Sequence, residues 1–231
     1  MPVYYGFDFS SLLYLLPALI FTLWAQWNVQ STYRKYAQIR AERGLSGAEA
    51  ARMILDKNGL HNVRIEQISG ELTDHYDPTA NVVRLSGSTY GARSAAAVGV
   101  AAHEVGHAIQ YAENYAPMRW RTAIIPVTNI GSRLAWPLVL IGVLFSFRPL
   151  AMLGVIFFSA CVLFQLVTLP VEFNASSRAL ASLSECGFTE DGLAASKKVL
   201  TAAALTYVAA LATSIANLLR LFSIANRTNR R

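Results

Sequence analysis

At residues 101–110 the chain reads AAHEVGHAIQ, which contains the pattern H-E-x-x-H. On a helix, His103 and His107 lie one turn apart on the same face, so both imidazoles can bind one small cation. Imidazole suits Zn²⁺, and a catalytic zinc site keeps an open position for water beside three protein ligands. Glu104 lies next to His103 and can reach that water without binding the metal. The motif therefore predicts one Zn²⁺ per chain, with Glu104 as general base toward a zinc-activated water.

The residues before the motif favour a buried helix. Residues 95–102 read AAAVGVAA and carry no polar side chain. Two imidazoles and a carboxylate buried in such a helix without a partner would be costly, and a bound metal removes that cost. The chain has four histidines, so a chance pair at this spacing around a glutamate would be rare. The alternative, in which the histidines only pack or face solvent, is therefore the weaker interpretation.

The composition indicates a membrane protein. Of 231 residues 54% are hydrophobic, and the mean hydropathy is +0.35. The length suits one domain of ordinary size, whereas the apolar fraction is too high for a typical soluble enzyme. The net charge of +6 comes from basic residues that flank apolar segments, which fits a lipid bilayer with anionic headgroups better than nucleic acid. Cys161 and Cys186 have no C-x-x-C partner, so we expect no disulfide framework.

Four apolar segments are candidates for membrane helices. Residues 9–27 form an uncharged N-terminal anchor. A helical hairpin is expected from residues 124–147 and 150–169, with its short turn outside the cell. An asparagine and an arginine interrupt the first of these two segments. The segment 199–224 either crosses the bilayer or packs against the other helices near the interface.

The charge distribution predicts the topology. The residues before the first apolar segment contain no lysine or arginine, whereas basic residues follow it at once. By the positive-inside rule, the segment after the anchor lies in the cytoplasm. We therefore expect a multi-pass protein of the bacterial inner (plasma) membrane with a cytoplasmic catalytic face. The basic tail, Arg227, Arg230 and Arg231, also prefers the cytoplasm, which conflicts with a fourth crossing. The basic residues after the anchor are Arg34, Lys35, Arg40 and Arg43.

The segment between the anchor and the hairpin reads as a small α+β domain. Ser46 and Glu49 form a capping-box pattern, which predicts a helix over 47–58. Residues 63–68 and 81–85 alternate as strands. Together with the motif helix over about 94–112, these elements predict a mainly α fold, with membrane helices and a small zincin-like α+β cytoplasmic domain.

Asp77-Pro78 supplies a turn between the two strands. The edge of the resulting sheet could hold an extended peptide through main-chain hydrogen bonds.

The predicted organisation has five segments. They are an N-terminal membrane anchor (1–29), a zincin-like catalytic segment with the motif helix (30–123), a transmembrane hairpin (124–170), a helix with the third zinc ligand (171–198), and a C-terminal apolar helix with a basic tail (199–231).

A third metal ligand must come from outside the motif, because the chain lacks the third histidine that metzincins carry. A glutamate on a later helix is the usual alternative. Glu172 is the best candidate, since its helix returns to the same membrane face. Glu185 is the second candidate, and Glu113 is too close to the end of the motif helix to fold back. In the competing interpretation, Glu172 is an interfacial acid paired with Arg178.

Three stretches resemble one known family. They read LTDHYDP at 72–78, HEVGHAIQ at 103–110 and LPVEFNASSRAL at 169–180. They are similar to the YugP-type membrane zinc metallopeptidases of bacteria, and more distantly to HtpX-like and CAAX-prenyl-type membrane gluzincins. The resemblance implies that His103, His107 and Glu172 ligate zinc, and that Glu104 is the general base.

The chain departs from the gluzincins at one position. In those proteins the second helix reads E-x-x-x-D, and the aspartate supports a zinc-ligating histidine. Here that position is Ser176, so we expect Asn174 or Ser176 to act as a neutral hydrogen-bond partner. A donor for the developing oxyanion is also needed, for which Arg178 and Tyr207 are candidates.

These features predict an integral membrane zinc metalloendopeptidase with its site at the cytoplasmic membrane surface. The substrate is expected to be a peptide or a membrane protein, and membrane partner proteins are possible. One alternative is a membrane binding or scaffold protein that keeps zinc for stability without turnover. Another is a small transporter or channel component, supported only by the polar residues in the apolar segments. Glu104 argues against the scaffold, because a structural zinc site has no use for a base.

Overall fold

The computed structural model describes residues 9–227, which form seven α-helices, one 3₁₀-helix and a three-stranded sheet. The mainly α fold class with a small α+β part is thereby confirmed. The helices are α1 (Phe9–Ala37), α2 (Gly47–Lys57), α3 (Gly87–Tyr90), α4 (Ala95–Ala112), α5 (Ala116–Leu144), α6 (Arg148–Glu185) and α7 (Glu190–Arg227), with a 3₁₀ turn at Glu42–Gly44. The strands are β1 (Arg64–Ile68), β2 (His75–Asp77) and β3 (Val82–Ser86).

The chain divides into two compact units. The sheet-bearing unit comprises Gln26–Trp120 and Thr168–Thr206. Within the described residues, the apolar unit comprises residues 9–25, Arg121–Val167 and residues 207–227.

In the apolar unit, small residues let neighbouring helices pack closely. A Cβ added at Gly142 would clash with the backbone of Ala151, and one added at Gly154 would clash with Ala135. Three helices, α5, α6 and α7, are long and apolar enough to cross a membrane. Helix α1 extends through the predicted anchor and exposes large apolar side chains such as Leu19 and Leu23. Its crossing of the bilayer stays a prediction. The N-terminal tail used in the topology argument, and Arg230 and Arg231, lie outside the described residues.

In the sheet-bearing unit the strands lie in the order β1-β3-β2, with β1 parallel and β2 antiparallel to β3. The two predicted strands are confirmed as β1 and β3. The predicted turn is also present, because Asp77 Oδ1 accepts hydrogen bonds from the Thr79 and Ala80 amides. Hydrogen bonds from the Ala80 amide and from Arg84 hold the pKa of Asp77 below its ordinary value. The short strand β2 was not predicted, since its three residues carry no alternating pattern.

Helix α2 forms where its capping box predicts. The Ser46 hydroxyl accepts a hydrogen bond from the Glu49 amide, and the Glu49 carboxylate accepts one from the Ser46 amide at 2.7 Å. Both bonds satisfy amides that the first helical turn leaves without partners.

Helix α4 begins after Ser94, whose hydroxyl accepts a hydrogen bond from the Ala97 amide. Its alanines allow close contact with α2, and the core between them includes Ile54, Leu55, Ala101 and Val105, all fully buried. The motif therefore lies on a helix that is packed on most of its surface.

Helix α6 is continuous from Arg148 to Glu185 and passes through Pro170. The span predicted at 150–169 and the helix predicted from residue 171 are thus two parts of one helix. Proline removes a single backbone hydrogen bond, and neighbouring helices can compensate for that loss. The part of α6 from Thr168 onward belongs to the sheet-bearing unit, which places Glu172 in the same unit as α4.

Candidate metal centre

Three side chains from α4 and α6 meet at one point of the sheet-bearing unit. The Glu172 Oε2 atom lies 3.2 Å from His103 Nε2 and 3.4 Å from His107 Nε2. One ligand atom from each residue lies within 4.8 Å of the others. Among residues 9–227, these three side chains form the one group of three or more His, Cys, Asp or Glu residues that could hold a metal ion. Two imidazoles and one carboxylate are a typical ligand set of catalytic zinc, so these residues fit that metal.

The cluster is buried. Glu172 is 2% exposed, His107 7% and the adjacent Glu104 8%. Burial acts to lower the pKa of His107, but the hydrogen bond with Glu172 and the charges of Glu104 and Glu172 outweigh it, so this pKa lies above its ordinary value. The Glu172 carboxylate, which faces both imidazoles, supplies negative charge that a bound cation would meet.

Gly106 allows the two helices to approach closely enough to form the cluster. A Cβ at this position would collide with the backbone carbonyl oxygen of Ala175 on α6. Backbone atoms within a helix cannot turn away as a flexible side chain can. The contact between α4 and α6 therefore requires glycine at position 106. The motif H-E-x-x-H thus contains a residue needed for packing as well as the residues that carry the chemistry.

Gly106→Ala is expected to destabilise the protein and to weaken zinc binding, because α6 and its Glu172 must move away from α4. Overpacking of this kind typically costs about 1–3 kcal/mol. Thermal unfolding and zinc titration of the purified variant would measure both effects. Gly91→Ala is the matched control, since a Cβ there meets nothing within 4 Å and its φ is −95°. Equal zinc affinity and stability in the two variants would contradict this role of Gly106.

Both histidines have hydrogen-bond partners on their other ring nitrogen. The Ser176 hydroxyl lies 3.2 Å from His103 Nδ1. The Gln110 amide oxygen lies 3.0 Å from His107 Nδ1. Such partners orient metal-ligating imidazoles. Ser176 thus lies beside His103, and its supporting role stays a prediction, whereas Gln110 was not predicted at all.

Asn174 and Arg178 link the two helices at the edge of the site. Asn174 Oδ1 accepts hydrogen bonds from Gln110 Nε2 at 2.9 Å and from Arg178 Nε at 2.7 Å. Arg178 Nη1 also forms an ion pair with Glu113, the residue that caps the end of α4, at 2.7 Å. These contacts hold the guanidinium between α4 and α6, and its predicted oxyanion role stays a prediction.

The remaining candidates lie elsewhere in the chain. Glu185 is the exposed last residue of α6, whereas Glu172 contacts both imidazoles. Tyr207 lies on α7 in the apolar unit, and its oxyanion role also stays a prediction. In the sequence, the only feature that could have pointed to Gln110 as a site residue was its polar side chain on a largely apolar helix. The sequence offered no way to find its partners.

The fold and the cluster define a class of protein. Within residues 9–227, it is a mainly α-helical protein with three helices long and apolar enough to cross a membrane. It brings two histidines of an H-E-x-x-H helix and a glutamate of a later helix into a group that could hold a metal ion. Residues 11–226 match the family model described as "Putative neutral zinc metallopeptidase". The chain belongs to this family, as the resemblance had implied.

A curated relative agrees with this assignment. The chain is 51% identical over 213 residues to "Putative membrane protease YugP" of Bacillus subtilis (strain 168), which covers 90% of this chain and 93% of that protein. No solved structure matches the chain. The family and the relative's name support a membrane protein of the zinc peptidase type.

Proposed function

We propose that this protein is an integral membrane zinc metalloendopeptidase of the gluzincin type. The observation that carries the proposal is the convergence of His103, His107 and Glu172, with the buried carboxylate of Glu104 beside them. Membership of a zinc metallopeptidase family supports the same conclusion.

His103, His107 and Glu172 would hold the ion. Zinc, when bound in such a site, supplies Lewis acidity that lowers the pKa of water and polarises a carbonyl group. Glu104 takes the proton of the attacking water and passes it to the leaving amine. Its carboxylate is near enough to affect the pKa of His107, but it is not part of the three-residue cluster. The non-coordinating acid is what distinguishes this proposal from a structural zinc site.

The position of strand β2 in the sheet supports the proposal that an extended peptide binds here. β2 lies at one edge of the sheet and packs on α4, where the ring of Tyr76 lies 6.0 Å from that of Tyr111. An edge strand can bind a peptide through main-chain hydrogen bonds. We propose that a peptide or a segment of a membrane protein binds along this edge and so reaches the cluster on α4.

The catalytic face is proposed to lie in the cytoplasm, at the surface of the bacterial inner membrane. Arg34 and Lys35 lie in the last turn of α1, and Arg40 and Arg43 follow them, which supports this orientation by the positive-inside rule. Glu172 lies three residues after the apolar segment 150–169, so the site is expected near the end of a membrane span.

A cysteine introduced at Asn62, in an exposed loop of the sheet-bearing unit, should resist an impermeant thiol reagent in intact cells. It should react once the cells are permeabilised. Cys161 and Cys186 are first replaced by alanine. Ser146→Cys, in the turn between α5 and α6, is the matched control and should react in intact cells. The opposite pattern would reverse the proposed topology.

Zinc content and casein-type proteolysis, measured with and without a chelator, test the proposed function. A peptidase should contain about one zinc per chain and lose activity with the chelator. A scaffold would contain zinc without cleaving peptides. A transporter component would show neither property.

A further inference from the structure

Gln110 is a fully buried polar side chain at the centre of the contact between α4 and α6. Its exposure is 0%, and its amide makes three hydrogen bonds. Nε2 donates to the Val171 carbonyl at 2.8 Å and to Asn174 Oδ1 at 2.9 Å, while Oε1 lies 3.0 Å from His107 Nδ1. Burying an amide is costly unless it is hydrogen-bonded, and here both N–H groups are used.

These contacts determine which nitrogen of His107 carries the proton. A backbone carbonyl can only accept a hydrogen bond, so the Gln110 NH₂ group must face Val171. The amide oxygen of Gln110 then faces His107, and Nδ1 of that ring must donate. When the ring is neutral, as a metal ligand must be, its lone pair is therefore on Nε2, the atom that lies 3.4 Å from Glu172 Oε2. The amide thus selects the tautomer whose Nε2 can bind a metal.

The same amide also fixes α6 on both sides of the third ligand. Val171 directly precedes Glu172, and Asn174 follows it by two positions. Hydrogen bonds to both residues oppose rotation or sliding of this turn of α6 against α4. Arg178 strengthens the link, since it donates to Asn174 and pairs with Glu113 at the end of α4.

We propose that Gln110 is a positioning residue of the metal centre. It directs Nε2 of His107 toward the ion and places Glu172 beside both imidazoles. Ser176 does not select a tautomer for His103 in the same way, because a hydroxyl both donates and accepts. The inference rests on the proposed function, namely that the cluster binds zinc.

Zinc affinity of the full-length protein in detergent, measured by competition with a chelator, tests the inference. Gln110→Met keeps the volume but loses all three hydrogen bonds, and we expect affinity to fall about 10–100-fold, as is typical for such supporting residues. Gln110→Glu keeps an acceptor for His107 but loses both donors, so its affinity should fall by a smaller factor. Asn174→Asp keeps the acceptor for Gln110 and should lose less affinity than Asn174→Leu, which removes it.

A control separates positioning from general stability. Leu183→Ala opens a cavity in the same core, on α6, without touching the hydrogen bonds of the site. It should unfold at a lower temperature and still bind zinc with wild-type affinity. If Leu183→Ala weakens zinc binding as much as Gln110→Met does, Gln110 has only a structural role.

Nuclear magnetic resonance of ¹⁵N-labelled histidine gives a direct readout in the zinc-loaded protein. Wild-type His107 should show an Nδ1–H proton protected from exchange with water, and Gln110→Met should lose that protection. A wild-type protein that binds no zinc would overturn both the inference and the proposed function. A wild-type protein that binds zinc, with unchanged affinity and protection in Gln110→Met, would overturn the inference alone.

Discussion

Replacing Glu104 by glutamine is expected to slow peptide cleavage by at least ~100-fold, the lower range for a positioned acid–base group. Glutamine keeps the size and hydrogen bonding of glutamate but cannot take a proton from water. Glu104 is buried on a well-packed helix, and it is not part of the cluster of ligand atoms. The variant should therefore fold, remain in the membrane and bind zinc nearly as the wild type does.

This prediction is tested by measuring the cleavage rate and the zinc content of the same preparation. Glu71→Gln, in an exposed loop of the sheet-bearing unit, is the matched control and should keep full activity. A wild-type rate in Glu104→Gln would show that the base lies elsewhere. Loss of zinc would instead assign Glu104 to the support of the metal.

The inactive variant also offers a route to the substrate. Its site would still contain metal and would still be shaped for a peptide chain, so a bound substrate could persist through purification. Proteins that co-purify with Glu104→Gln, but not with the wild type, are the first candidates to test for cleavage.

Local features of the sequence predicted local structure well. The Ser46–Glu49 capping box forms as expected, because such a motif satisfies amides within one helical turn. The spacing of His103 and His107 places both rings on one face, with ring centroids 4.7 Å apart. Helical geometry alone is enough to predict that arrangement.

Contacts between distant parts of the chain could not be predicted in the same way. The sequence left Glu185 open as an alternative to Glu172, and only the packing of α6 on α4 brings one of them to the histidines. Gln110 and the Val171 carbonyl are 61 positions apart, and a backbone acceptor leaves no trace in the sequence. Gly106 likewise has a visible role only once Ala175 is seen opposite it.

Removing any one of the three ligands is expected to abolish tight zinc binding. His103→Ala, His107→Ala and Glu172→Ala should each lose more than the ~10–100-fold that loss of a supporting residue typically costs. The reason is that each change removes a coordinating atom, while the loss of a supporting residue only misorients one. Zinc content after dialysis against a chelator measures the effect.

Thermal unfolding gives an independent measure of zinc binding by the same three residues. A ligand that binds only the folded state at a hundred times its Kd stabilises it by about 2.7 kcal/mol. Added zinc should therefore raise the Tm of the wild type and leave that of Glu172→Ala unchanged. Glu185→Ala, on the same helix but at its exposed end, should respond to zinc as the wild type does. If Glu172→Ala keeps its zinc and Glu185→Ala loses it, the third ligand is Glu185, and the carboxylate between the two imidazoles would have another role.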